Sequence, residues 1–199
     1  MNLKDKRNMM LTTNIGGGTT NYDVTIVTRR GYYVDVTING ATTTYTMSEV
    51  EANNIDCGCL YLTYIKFGGM AYVIVSKGTL TYNGVEYSKG KIVNEILFNT
   101  YDTFEYSGVN EPTPSGVTEF YMPTPARYVV FTDTDYVLGN YSTFPTFTQI
   151  GCIEFMYGSN ATTINAIKDL MYNGVVYTSG SQVLKFNYGG KYNVIFEEI

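Results

Sequence analysis

Apolar and polar residues alternate along most of this chain. Tyr22–Thr28 reads YDVTIVT and Tyr33–Ile38 reads YVDVTI. A two-residue period sends apolar side chains to one face of an extended segment and polar ones to the other, so both stretches predict half-buried β-strands. The second runs into Asn39-Gly40 and then ATTTYTM. Asn-Gly between two such runs predicts a hairpin, because a type I′ turn needs positive φ at both central residues. The same reading predicts strands at Cys59–Lys66, Ala71–Val75, Lys91–Phe98, Tyr101–Tyr106, Tyr128–Thr132, Thr148–Met156 and Tyr192–Glu197. Abundant Thr suits half-exposed sheet faces. The longest apolar run, Met70–Val75, has the length of a buried strand, far short of the ~18 residues of a membrane-spanning helix.

Helical periodicity is scarce. Ser48–Asn54 (SEVEANN) is the one clear candidate, with Ser48 and Glu51 at capping-box spacing. Ile164–Leu170 (INAIKDL) fits a helix or a strand equally. All five prolines fall between Pro112 and Pro145, and Ser107–Ala126 reads as a linker or long exposed loop. Proline has no N–H for a sheet ladder, and long loops are uncommon inside one compact domain, so a seam is expected here.

An internal repeat stands out. Leu80–Gly90 reads LTYNGVEYSKG and Leu170–Gly180 reads LMYNGVVYTSG, with 7 of 11 positions identical and the Asn-Gly pairs 90 residues apart. In each copy a Tyr ends one strand, Asn-Gly turns the chain, and Val and Tyr return on the next with both side chains on one face. Upstream, each copy carries a strand opened by cysteine, CLYLTY from Cys59 and CIEFMY from Cys152. The expected architecture is therefore all-β: two small antiparallel sandwich- or barrel-like modules with one or two short helices at most. The boundaries read as an N-terminal arm at 1–21, an anchoring module at 22–107, the Pro-rich segment at 108–126 and a second module at 127–199. Repetition of a module suits a structural or adhesive part better than a catalytic one.

Composition narrows the chemistry. The 199 residues include no His and no Trp, 20 Tyr, 10 Phe and 20 Gly, with a net charge of −5. Without an imidazole there is no Ser-His-Asp triad, no Cys-His dyad and no His-ligated metal. An acidic chain releases few phosphate counterions, so nucleic acid is not an expected partner. The start, MNLKDKRNMMLTT, has only Met9, Met10 and Leu11 as an apolar run, too short for a secretory signal, so a soluble protein made inside a cell is expected. Cys57, Cys59 and Cys152 then read as free, buried thiols; a structural zinc site wants a fourth ligand.

No catalytic, cofactor-binding or metal-ligating residue is assigned. Asp133-Thr-Asp135 with Asn140 suggests calcium, but an EF-hand loop from Asp133 would need Gly and Glu where Leu138 and Phe144 stand. A polar turn is the simpler reading. Glu119, Asp133, Asp135 and Glu154 are the carboxylates near the second repeat, and no spacing selects a pair for glycoside hydrolysis. Gly16-Gly17-Gly18 lacks the Lys-Ser/Thr of a phosphate loop and reads as a hinge for the arm. The arm carries Lys4, Lys6 and Arg7 against Asp5, as a solvated tail or as a peptide that orders on a partner. Exposed tyrosines bind sugars well, which makes Tyr136–Phe147 a candidate glycan surface; Tyr on sheets also serves cross-strand packing.

The Y-N-G-V-x-Y-x-x-G unit at Tyr82–Gly90 and Tyr172–Gly180, with the Tyr/Thr/Asn-rich, charge-poor background, resembles short β units in virion proteins of tailed bacteriophages, particularly crAss-like phages. The resemblance covers two windows and carries no catalytic residues. It implies a non-enzymatic virion component of the head-fibre or capsid-decoration type. Its partners would be capsid or collar subunits and further copies of itself, without nucleic acid, membrane or cofactor, and its location the virion. A carbohydrate-binding adhesin module and a tail or collar ring component are the alternatives.

Overall fold

The computed structural model describes residues 20–65, 71–97, 99–124, 127–140, 147–157, 161–187 and 192–199. Residues 1–19 of the arm lie outside them, as do residues 141–146, half of Tyr136–Phe147. The first half of the chain runs β1 (Asn21–Arg29), β2 (Tyr33–Ile38), β3 (Ala41–Thr46), α1 (Met47–Asn53), β4 (Ile55–Asp56), β5 (Leu60–Ile65), β6 (Ala71–Ser76), β7 (Leu80–Tyr82), β8 (Val85–Tyr87), β9 (Ile92–Leu97) and β10 (Thr103–Val109). The second half runs β11 (Val117–Thr124), β12 (Arg127–Phe131), β13 (Tyr136–Asn140), β14 (Phe147–Ile150), β15 (Ile153–Tyr157), β16 (Ala161–Ala166), β17 (Leu170–Tyr172), β18 (Val175–Tyr177), β19 (Gln182–Asn187) and β20 (Asn193–Glu198). The chain is all-β, in four antiparallel sheets, as the alternation predicts.

Their strand orders are β3-β2-β1-β10-β7-β8 and β4-β5-β6-β9 in the first half, and β13-β12-β11-β20-β17-β18 and β14-β15-β16-β19 in the second. Adding ten to each first-half label reproduces the second half. The duplication therefore extends from the eleven-residue motif to all twenty described strands. Both Asn-Gly hairpins take the turn geometry their sequence calls for, with φ of 50° and 74° at Asn83-Gly84 and 50° and 76° at Asn173-Gly174.

The sheets stack in that order as four layers, one to four. Val24, Ile26, Val34, Leu62, Ile74, Leu80 and Tyr106 fill the space between layers one and two. Phe120, Val130, Phe155, Ile164, Leu170 and Phe196 fill that between layers three and four. Between layers two and three a further cluster joins Val73 and Val75 to Val129, Phe131 and Tyr136. Strand sequences follow from this placement. In β6 (AYVIVS) Tyr72 and Ile74 enter the first core while Val73 and Val75 enter the junction, so both faces are apolar. In β12 (RYVVF) Tyr128 and Val130 face one core while Val129 and Phe131 face the junction. A strand buried on both sides loses its alternation. Strand β16 (ATTINA), in an outermost layer, keeps it.

The structure corrects three expectations and settles a fourth in favour of strand. The helix cap is Thr46, whose hydroxyl accepts from Glu49 N while the Glu49 carboxylate accepts from Thr46 N at 2.8 Å; Ser48 and Glu51 have the right spacing but the strand ends before them. Capping at Thr46 sends Val50 into the core beside Tyr45, as a hydrophobic staple. Thr148–Met156 is two strands, broken at Gly151, whose φ is +60°. Ile164–Leu170 ends β16 and begins β17, without helix. The stretch 108–126 holds the end of β10 and all of β11. Pro123 sits beyond the last β11–β20 pair and within a register shift against β12, where no ladder donor is demanded. Only 110–116 crosses between the units, and it is fastened to the first: Glu111 N donates to Lys77 O at 3.1 Å, and Thr79 N and Oγ1 donate to the Glu111 carboxylate at 2.9 Å.

Candidate assembly interface

The residues singled out from sequence do not converge. Cys57 and Cys59 belong to the first core and Cys152 to the other, all three free and buried. Burial pushes the Cys59 thiol up to about 12 and raises the other two, so all three are protonated, inert side chains at neutral pH. Asp133 and Asp135 form the β12–β13 turn: Thr132 Oγ1 accepts from Asp135 N at 2.8 Å, and the Asp135 carboxylate accepts from Tyr136 N at 2.7 Å. Asn140 stands at the far end of β13 from them. Glu154 accepts from Gln149 Nε2 at 2.8 Å on the outer face of layer four, whereas Glu119 is buried at the junction. Among the described residues no group of His, Cys, Asp or Glu is placed to hold a metal ion. Tyr136, the start of the glycan candidate, is buried in the junction. Residues 141–146 of that candidate lie outside the described residues.

The chemistry of this molecule is concentrated where its units meet. Lys89 Nζ lies 2.7 Å from Glu119 Oε2, donates to Thr113 Oγ1 at 3.0 Å and stands 5.4 Å from the Phe131 ring centre. Tyr121 Oη donates to the same Glu119 oxygen at 3.0 Å. Arg127 pairs with Glu95 across the units. Tyr61 stacks on Tyr136 at 4.1 Å between ring centres, and Phe131 and Tyr121 meet edge to face at 5.8 Å. Lys77 lies 4.5 Å over the Tyr61 ring while paired to Asp56 at 2.7 Å. The Lys89–Glu119 pair joins residues 30 positions apart, one in the β8–β9 turn and one on β11, so only the tertiary packing, not the spacing, brings them together.

Equivalent positions differ according to what they face. By strand register the junction residues Tyr61, Val73, Val75 and Ile92 of layer two correspond to Glu154, Thr163, Asn165 and Gln182 on the outer face of layer four. Likewise Val129, Phe131 and Tyr136 of layer three correspond to Asp35, Thr37 and Thr42 of layer one. There Thr37 and Thr42 bond to each other at 2.8 Å, and Asp35 accepts from Thr44 at 2.7 Å and pairs with Arg29. Both ends of the stack are thus polar and its middle apolar. Layer one also carries a shallow groove of about 370 Å³ lined by Asp23, Thr25, Thr81, Glu105 and Ser107.

One surface breaks this pattern. Layer two covers the β13-β12-β11 side of layer three and leaves the β20-β17-β18 side open. Ile195 and Val176 are 50% and 60% exposed there, beside half-buried Met171. The corresponding residues of the first unit are Glu105, Glu86 and Thr81. No protein-family model, curated protein or solved structure matches the chain.

Proposed function

We propose that this protein is a non-enzymatic structural subunit that works by protein–protein contact in a larger assembly. The observation that carries the reading is the duplicated sandwich, whose buried Lys89–Glu119 pair and whose cluster of Tyr61, Tyr121, Phe131 and Tyr136 join its own units. Duplication followed by divergence of faces builds a rigid four-layer block with selected sides prepared for contact. Together with the resemblance drawn from Tyr82–Gly90 and Tyr172–Gly180, the assembly is a tailed-phage particle and the role that of a head fibre or capsid decoration protein.

Gradient-purified particles from a culture expressing the chain test the reading. Mass spectrometry and cryo-electron microscopy should find it at a regular position on the particle in fixed copy number. Its restriction to the soluble lysate, with none on particles, would overturn the proposal. The layer-one groove supports a second reading, glycan binding, since its carboxylates and hydroxyls are suited to sugar hydroxyls. A glycan array probed with the full chain and with Glu105→Gln checks it: hits lost on substitution would support the groove, and a blank array would exclude it.

A further inference from the structure

We propose that two copies of this chain join about a two-fold axis through β18, so that layer three continues from one copy into the other. The inference rests on the assembly reading and names one of its contacts. Among the described residues strand β18 ends its sheet, and its outer backbone N–H and C=O groups make no ladder bonds. So does β8 in the first unit. The two edges are built from the same motif but treated differently. Strand β8 reads Val-Glu-Tyr, and a charge on an edge strand is a standard guard against pairing with another chain. Strand β18 reads Val-Val-Tyr and lacks the guard.

The neighbouring residues have changed in the same sense. Met171 is cross-strand partner to Val176, as Thr81 is to Glu86, and Ile195 stands where the first unit has Glu105. Three polar or charged positions on one face have all become apolar. This face is the one that layer two already covers farther along: Ile195 is paired with Glu119, whose carboxylate lies inside the junction. The open patch is therefore continuous with an existing apolar interface and borders its buried ion pair.

A second copy fits this edge because the contact is self-complementary. Two antiparallel β18 strands satisfy each other's unpaired backbone groups, and a two-fold axis brings each Val176 beside its counterpart. Met171 and Ile195 of both copies extend the strip. Glu197, cross-strand from Met171, remains at the margin.

Sedimentation of the full chain over a concentration series tests the proposal. The expected species has twice the 22.3 kDa monomer mass. Met171→Thr, Val176→Glu and Ile195→Glu install the residues that the first unit carries at the same places. Together they should weaken dimerisation at least about tenfold in Kd while leaving the circular dichroism unchanged. Should the triple variant fail to fold, Val176→Cys reads the same contact: mild oxidation should link copies through position 176, and Glu86→Cys should link none. The native cysteines are buried and stay silent. A monomer at every concentration, a dimer unaffected by the charges, or equal linking at both edges would overturn the proposal. So would a dimer lost in the triple variant but never linked through 176, which assigns the patch to another occupant such as the 1–19 arm. A monomer still found on particles sinks this contact alone; a dimer absent from particles sinks the virion reading alone.

Discussion

Tyr136 is fully enclosed between Tyr61 and Phe131, and its hydroxyl has no hydrogen-bond partner among the described residues. Burying an unsatisfied hydroxyl is unfavourable, so Tyr136→Phe should stabilise the fold by about 1 kcal/mol, read as a higher urea midpoint at unchanged slope. A loss of stability would mean that the hydroxyl is satisfied. Gly90 and Gly180 make a second single-residue comparison. Both have positive φ, 78° and 87°, so a side chain costs about 1–2 kcal/mol at either. A Cβ at Gly90 would also collide with the Tyr121 ring, whereas at Gly180 it meets nothing within 4 Å. Gly90→Ala should therefore exceed Gly180→Ala by about 1–3 kcal/mol in denaturant titrations, the overpacking increment at the junction. Equal effects would show that Tyr121 moves aside freely.

At the scale of elements, the Lys89–Glu119 pair ties the β8–β9 turn to β11. Removing one partner strands a buried charge. Lys89→Met should cost about 3–5 kcal/mol, and Lys89→Met with Glu119→Leu should recover most of it. Additive losses in that double-mutant cycle would show that the charges do not interact. This contact also marks the limit of sequence reading. Strands such as β1 and β2 were legible because apolar and polar residues alternate along each. The Asn-Gly hairpins were legible because their turn demands those residues. Strand β11 was hidden because Pro123 marks it as loop, and only a register shift makes the proline acceptable. Thr148–Met156 hid its break because apolar residues flank Gly151 on both sides. The junction was invisible as an interface: AYVIV and RYVVF announce strands wet on neither face, but nothing in them says which two strands meet. The partners of Lys89 depend on how two sheets are laid across each other, and that is a tertiary fact.

For the whole molecule, alkaline pH probes the cores directly. Burial raises Cys59 from its ordinary 9.0 to about 12 and Tyr72 from 10.0 to about 12. The unfolded chain ionises these groups at their ordinary values, while the folded chain resists. Their contribution is thus complete below pH 9 and is lost as pH rises from 9 to 12. The urea midpoint should hold from neutrality to about pH 9 and then fall, less steeply in Cys59→Ala. A midpoint rising above pH 9 would contradict the burial of these groups.

The polar ends of the stack set how far it can grow. Glu154, Thr163, Asn165 and Gln182 stop it on one side as effectively as Asp35, Thr37 and Thr42 stop it on the other. Exchanging the first four for Tyr, Val, Val and Ile, and adding a third sandwich fronted by Val, Phe and Tyr, would give a six-layer chain with the same termini. Length in this architecture is a matter of how many times one boundary is copied, and a ruler of chosen size can be written from a single tile.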